Sequence, residues 1–168
     1  MSEPIAGIGR VFGGGGGLPG APGSAAGLRI ALAASRFHGP MVERLIQGAA
    51  SELARMGLLA EDVELAWAPG AFELPYLAQT LARTGRYDAI VTLGVVIRGE
   101  TPHFEYVCAE AARGVADVAR AEGVPVLFGV ITADDPQQAH ARAGGVTNKG
   151  AEVARAAVEF VAVLREAR

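Results

Sequence analysis

An α/β fold built on a four-stranded parallel sheet is what this 168-residue chain predicts. Three observations carry that expectation. From Leu28 onward, short apolar runs alternate with longer amphipathic ones. The run YDAIVTLGVVI is almost wholly apolar, as a strand covered on both faces must be. Each apolar run ends in a polar loop that holds a glycine or a proline. In open sheets of this type ligands bind beyond the carboxyl ends of the strands, so those loops are where function is to be sought.

The elements follow in order. LRIALAA is the first strand, and a helix over 40–56 then sets Met41, Leu45, Ile46, Ala49, Leu53 and Met56 on one face, closed by Gly57. VELAWA is the second strand. A helix begins at about Glu73 and holds Pro75 in its first turn, where a missing N–H is tolerated. The third strand is followed by a helix from Pro102 to about Glu122, and VPVLFGVI is the fourth strand. A short helix over 136–142 and a final helix from about Lys149 end the chain. In the last helix Val153, Ala156, Ala157, Phe160, Val161 and Leu164 form the expected apolar face.

Bulk properties narrow the function. At 51% apolar residues the chain can build one real core, expected over 28–168. A net charge of -3, with acids and bases interspersed, offers no basic stripe for nucleic acid or an anionic membrane. No apolar run reaches the ~18 residues of a spanning helix. One cysteine, Cys108, excludes an internal disulfide and fits a reducing, cytoplasmic setting. His38, His103 and His140 have no paired-ligand spacing, so a metal is not expected. Residues 1–27 carry ten of the 23 glycines, five of them in one run, and read as a flexible arm.

The four strand-end loops read SRFHG, PGAFELP, RGETPH and TADDPQ, and the topology collects them on one edge. There Ser35, Phe37, His38, Phe72, Glu73, Arg98, Thr101 and His103 bring aromatic faces, hydroxyls, a carboxylate and imidazoles together. Taken singly, each is equally an ordinary loop or capping residue. The third loop says most. Thr101 and Pro102 suit an N-cap and first helical position, which leaves helix-start N–H groups beside Gly99 as an anion site. His103 in the first turn is either a proton acceptor or a plain helix-start residue. Arg98 faces an anion or forms a structural ion pair, and Glu73 either caps its helix or binds a ligand. Cys108 and Trp67 read as packing residues, and His140 as solvated.

Four strings, PGAFELP, GVVIRGETPHFEYVC, VPVLFGVIT and RAGGVTNKGAEVA, together resemble the lumazine synthase family over nearly all of 28–168. The resemblance implies a flavodoxin-like αβα sandwich that assembles as a homopentamer, in some members as twelve pentamers in an icosahedral shell. It implies condensation of 5-amino-6-(ribitylamino)uracil with 3,4-dihydroxy-2-butanone 4-phosphate, without metal or organic cofactor. By the same resemblance Phe37 stacks on the pyrimidine ring, and Ala71, Phe72 and Glu73 hold the ribityl chain and ring edge. Val96 and Ile97 offer backbone groups to the ring, Gly99, Glu100 and Thr101 bind phosphate, and His103 shuttles protons. Phe128, Arg142 and Lys149 are implied to act from the adjacent subunit.

Two positions depart from the family pattern. His38 stands where asparagine is common, and the connection between Arg142 and Lys149 is short and lacks an extra lysine. In the family a longer connection goes with free pentamers, so the short one is compatible with a shell. The alternatives are a riboflavin-synthase-type paralogue, a catalytically silent flavin- or lumazine-binding or shell-forming paralogue, and a generic nucleotide binder. Thr101 with Arg142 argues for a phosphorylated substrate over the first, His103, Arg142 and Glu73 together argue against the second, and the full set of motifs argues against the third.

Overall fold

The computed structural model describes residues 23–168. The glycine-rich arm lies outside them up to residue 22. Residues 23–27 form turns in which Ala25 is buried and its N–H donates to the Met56 carbonyl at 2.9 Å.

Nine main elements alternate as the sequence predicts. They are β1 (Ile30–Ser35), α1 (Gly39–Arg55), β2 (Val63–Ala68), α2 (Leu74–Arg83), β3 (Ala89–Ile97), α3 (His103–Glu122), β4 (Val126–Ala133), α4 (Pro136–Ala143) and α5 (Lys149–Ala167). The strands form one parallel sheet in the order β2-β1-β3-β4. Ile30 stands opposite Val63 on one side and Ala89 on the other, so β1 lies at the centre and the chain changes winding direction between β1 and β3.

The pleat sends alternate residues to two cores. Ile30, Leu32, Val91 and Leu93 face α1, α4 and α5, where they meet Leu45, Leu53, Ala139, Ala154 and Val158. Ala31, Ala33, Ile90 and Val130 face α2 and α3, meeting Leu74, Ala78, Val115 and Val118. β3 is therefore buried on both faces over Ala89–Val95, which is why its sequence shows no alternation.

Helix ends follow their local chemistry. After α1, Gly57 takes φ 97°, its N–H reaches the Ala54 carbonyl and the Leu58 N–H reaches that of Leu53, a Schellman closure. At the start of α5, the Asn148 side chain accepts from Ala151 N–H at 3.1 Å and donates to the Ala143 and Arg44 carbonyls, pinning that helix to α4 and α1.

The structure corrects two local expectations. The buried face of α5 is Gly150, Val153, Ala154, Ala157, Val158 and Val161, whereas Phe160 is 45% exposed. In a helix this rich in alanine two stripes compete, and contact with α1 and β4 selects the one whose small residues allow close approach. Thr101 does not cap α3, since Pro102 occupies that position in helical conformation and no side chain caps the helix.

Candidate active site

A cavity of about 620 Å³ opens at the carboxyl edge of the sheet, where the winding reverses. Three chain segments build its walls. The turn after β1 supplies Phe37 and His38; the short 3-10 turn before α2 supplies Gly70, Ala71, Phe72 and Glu73; and the end of β3 with its loop supplies Val95, Val96, Ile97, Gly99 and Thr101. The first two turns of α3 close it with His103, Phe104, Tyr106 and Val107.

Local forces set several of these groups. One oxygen of the Glu73 carboxylate accepts the Gly70 N–H at 3.0 Å, so this residue caps its own turn while still facing the cavity. Arg98 proves to be a structural ion pair: it binds Asp134 at 2.9 Å and Glu105, and its guanidinium lies 4.3 Å over the Phe104 ring. These partners raise the guanidinium's pKa further, and Arg98 in turn holds the Glu105 carboxyl below its ordinary value. Arg98 thus positions Phe104 and ties the β3 end to α3. His38 is half-buried, and desolvation lowers its pKa, which favours the neutral ring. Burial, with a smaller push from Glu105, raises the pKa of the Cys108 thiol and leaves it unactivated.

Of the residues named from the sequence, Phe37, Ala71, Phe72, Glu73, Val96, Ile97, Gly99, Thr101 and His103 meet in this one cavity. Glu100 is exposed on the same loop without lining it. Phe128, Arg142 and Lys149 lie elsewhere. Phe128 pairs with Thr92, four residues before the Val96–Thr132 pair, so it sits ~13 Å back along the sheet on edge strand β4. Arg142 ends α4 and Lys149 begins α5, both in the helix layer on the opposite face of the sheet from α2 and α3. Lys149 pairs with Glu152 at 2.8 Å, while Arg142 is exposed and makes no ion pair with another described residue.

Among the described residues no lysine or arginine lines the cavity. The uncapped start of the 20-residue helix α3 contributes a fixed positive field to it. Its rim is aromatic and open: Phe37 is 68% exposed, Phe72 53% and Tyr106 69%. Among the described residues no cluster of His, Cys, Asp or Glu could hold a metal, and no helix is long and apolar enough to cross a membrane.

Sequence reading missed Gly70, Val95, Phe104, Tyr106 and Val107. The signal for two of them was present, because His103, Tyr106 and Val107 follow the i, i+3, i+4 spacing of one helical face. Ser35 ends β1 fully buried, its hydroxyl unpartnered, and does not line the cavity. Trp67 packs against the core with Arg36 over its ring, and His140 is exposed on α4.

The fold and cavity together define a doubly wound α/β protein with a candidate site at the carboxyl ends of its strands. Comparison with known proteins makes this specific. The 6,7-dimethyl-8-ribityllumazine synthase family model matches residues 27–165. A curated relative from Desulfatibacillum aliphaticivorans, named 6,7-dimethyl-8-ribityllumazine synthase, is 48% identical over 139 residues, covering 82% of this chain and 90% of that protein. The chain belongs to the 6,7-dimethyl-8-ribityllumazine synthase family.

Proposed function

We propose that this chain is the enzyme that condenses 5-amino-6-(ribitylamino)uracil with 3,4-dihydroxy-2-butanone 4-phosphate, releasing phosphate and water and forming 6,7-dimethyl-8-ribityllumazine in riboflavin biosynthesis. Family membership supports the reaction. The observation that carries the residue roles is one cavity at the winding reversal, lined by two of the family strings and by the turn after β1, with no cation among the described residues that line it.

The chemistry asks for orientation and proton transfer more than for activation, because an aromatic amine and a ketone already react. Phe37 stacks on the pyrimidine ring, the backbone of Val96 and Ile97 meets its edge, and Ala71, Phe72 and Glu73 hold the ribityl chain. The amine adds to the ketone carbon and water leaves, giving an imine. Phosphate then departs as a proton is removed, and the second amine closes the ring with loss of water. His103 accepts and returns those protons at the helix start. The departing phosphate is held by the backbone N–H groups of Gly99, Glu100 and Thr101.

A phosphate dianion here still lacks a cation, and the free Arg142 of a neighbouring copy supplies it, with Phe128 and Lys149 of that copy closing the ring pocket. The exposed aromatic rim and the placement of these three residues away from their own cavity support a site shared between copies. The assembly proposed is a homopentamer, with the short Arg142–Lys149 connection compatible with twelve pentamers in a shell. A cytoplasmic location goes with the single, unactivated thiol.

The test mixes the two substrates with parent protein, His103→Ala, Arg142→Ala, and a co-refolded mixture of the two variants, following lumazine by absorbance. The expected result is strong activity in the parent, weak activity in each variant, and a co-refolded mixture more active than the average of its components. Activity equal to that average refutes the shared site. Absence of lumazine formation above the uncatalysed rate in the parent refutes the function and favours a silent binding or shell-forming role.

A further inference from the structure

We propose that His38 is a positioning residue for the cavity's aromatic platform: its imidazole braces the exposed Phe37 ring edge-on and fixes the orientation in which that ring stacks on a flat ligand. The inference rests on the reading of Phe37 as the pyrimidine platform.

Phe37 is 68% exposed, so the cavity wall does little to restrain it. The ring contact recorded for it is His38, with centroids 4.8 Å apart and planes at 75°, the edge-to-face arrangement aromatic quadrupoles prefer. A ring free to swing must be immobilised when a ligand stacks on it, whereas a braced one is already placed.

The brace is itself held by the fold. His38 has φ 58° and ψ 39°, and among the described residues it is the one non-glycine at positive φ. The chain reverses there from β1 into α1, and the His38 carbonyl accepts the N–H groups of Met41 at 3.0 Å and Val42 at 3.2 Å. In that backbone the imidazole lies against the Phe37 ring. Glycine or asparagine would meet the backbone demand at lower steric cost, so retention of a bulky ring in a left-handed conformation points to a use for the ring. Desolvation lowers its pKa, which favours the neutral ring.

The experiment compares steady-state kinetics of parent, His38→Gly and His38→Asn, alongside thermal unfolding. Both replacements tolerate the left-handed backbone, so both are expected to fold at least as well as the parent. The expected result is a KM for the ribitylaminouracil raised about 3- to 10-fold in both variants, from loss of the edge-to-face pair, with the KM for the butanone phosphate unchanged. His38→Gly kinetics equal to the parent overturn the proposal. So does full recovery in His38→Asn alone, which would assign His38 a polar contact with the ligand rather than a bracing one. A parent that forms no lumazine would instead sink the underlying reading of the cavity.

Discussion

The Glu52 carboxylate is the perturbation whose size the structure fixes best. It lies on α1 with its side chain 10% exposed, accepting from Arg55 Nη2 at 2.7 Å and Nε at 3.0 Å, and from Arg155 Nε of α5 at 2.8 Å. The triad ties α1, which His38 precedes as N-cap, to α5, which starts at Lys149. The Arg55 hydrogen bonds lead in lowering the Glu52 pKa from 4.5 to about 2; burial opposes them and Arg155 adds to them. A drop of that size caps the contribution at about 3 kcal/mol, and screening of the two half-exposed arginines reduces it to about 1–2 kcal/mol. Because the folded value is depressed, this stability is fully present above 4.5 and is lost as pH falls through about 2. Urea unfolding of parent and Glu52→Gln across that range is the assay. The parent is expected to be more stable by about 1–2 kcal/mol at pH 7, with the gap closing toward pH 2. A gap of the same size at both ends would refute the reasoning.

Three further outcomes are expected. In Gly150→Ala the new Cβ would lie 2.0 Å from the Leu45 carbonyl oxygen and 2.7 Å from its carbon; α5 must lift off α1, costing about 3 kcal/mol or more, and an unchanged thermal midpoint would disprove that packing. His103→Ala should lower kcat by about 10- to 100-fold with substrate binding kept, and steady-state kinetics equal to the parent would remove its proton-transfer role. Cys108, its thiol pKa raised by burial, should react with iodoacetamide at pH 8 far more slowly in the folded protein than in urea; equal rates would contradict the burial argument.

Much of this protein was legible in local pattern. The buried β3, the helical spacing through α1 and the turn residues after each strand are short-range properties that a linear string displays directly. Partnerships were less legible, because each polar group chooses among candidates from distant segments. Arg98 could have faced an anion, but Asp134 from the next strand end and Glu105 from α3 converge on it. Glu73 had two possible tasks and performs the capping one through a single oxygen. On α5 the alanine-rich pattern left two faces open until α1 and β4 selected one.

By itself, then, the sequence determined the order of elements, the parallel sheet that gathers four loops on one edge, and the set of chemical groups those loops carry. Only the tertiary structure decided which groups share a cavity. Phe37, Glu73, Thr101 and His103 meet because strand ends at a winding reversal are neighbours whatever their separation along the chain. Arg142 and Lys149 stay apart from them because α4 and α5 pack on the other face of the sheet, and Phe128 because its register with Thr92 sets it back along β4. Periodicity fixes which way a side chain faces within its own element; distance between elements is set by layer packing and strand register, which are properties of the assembled core.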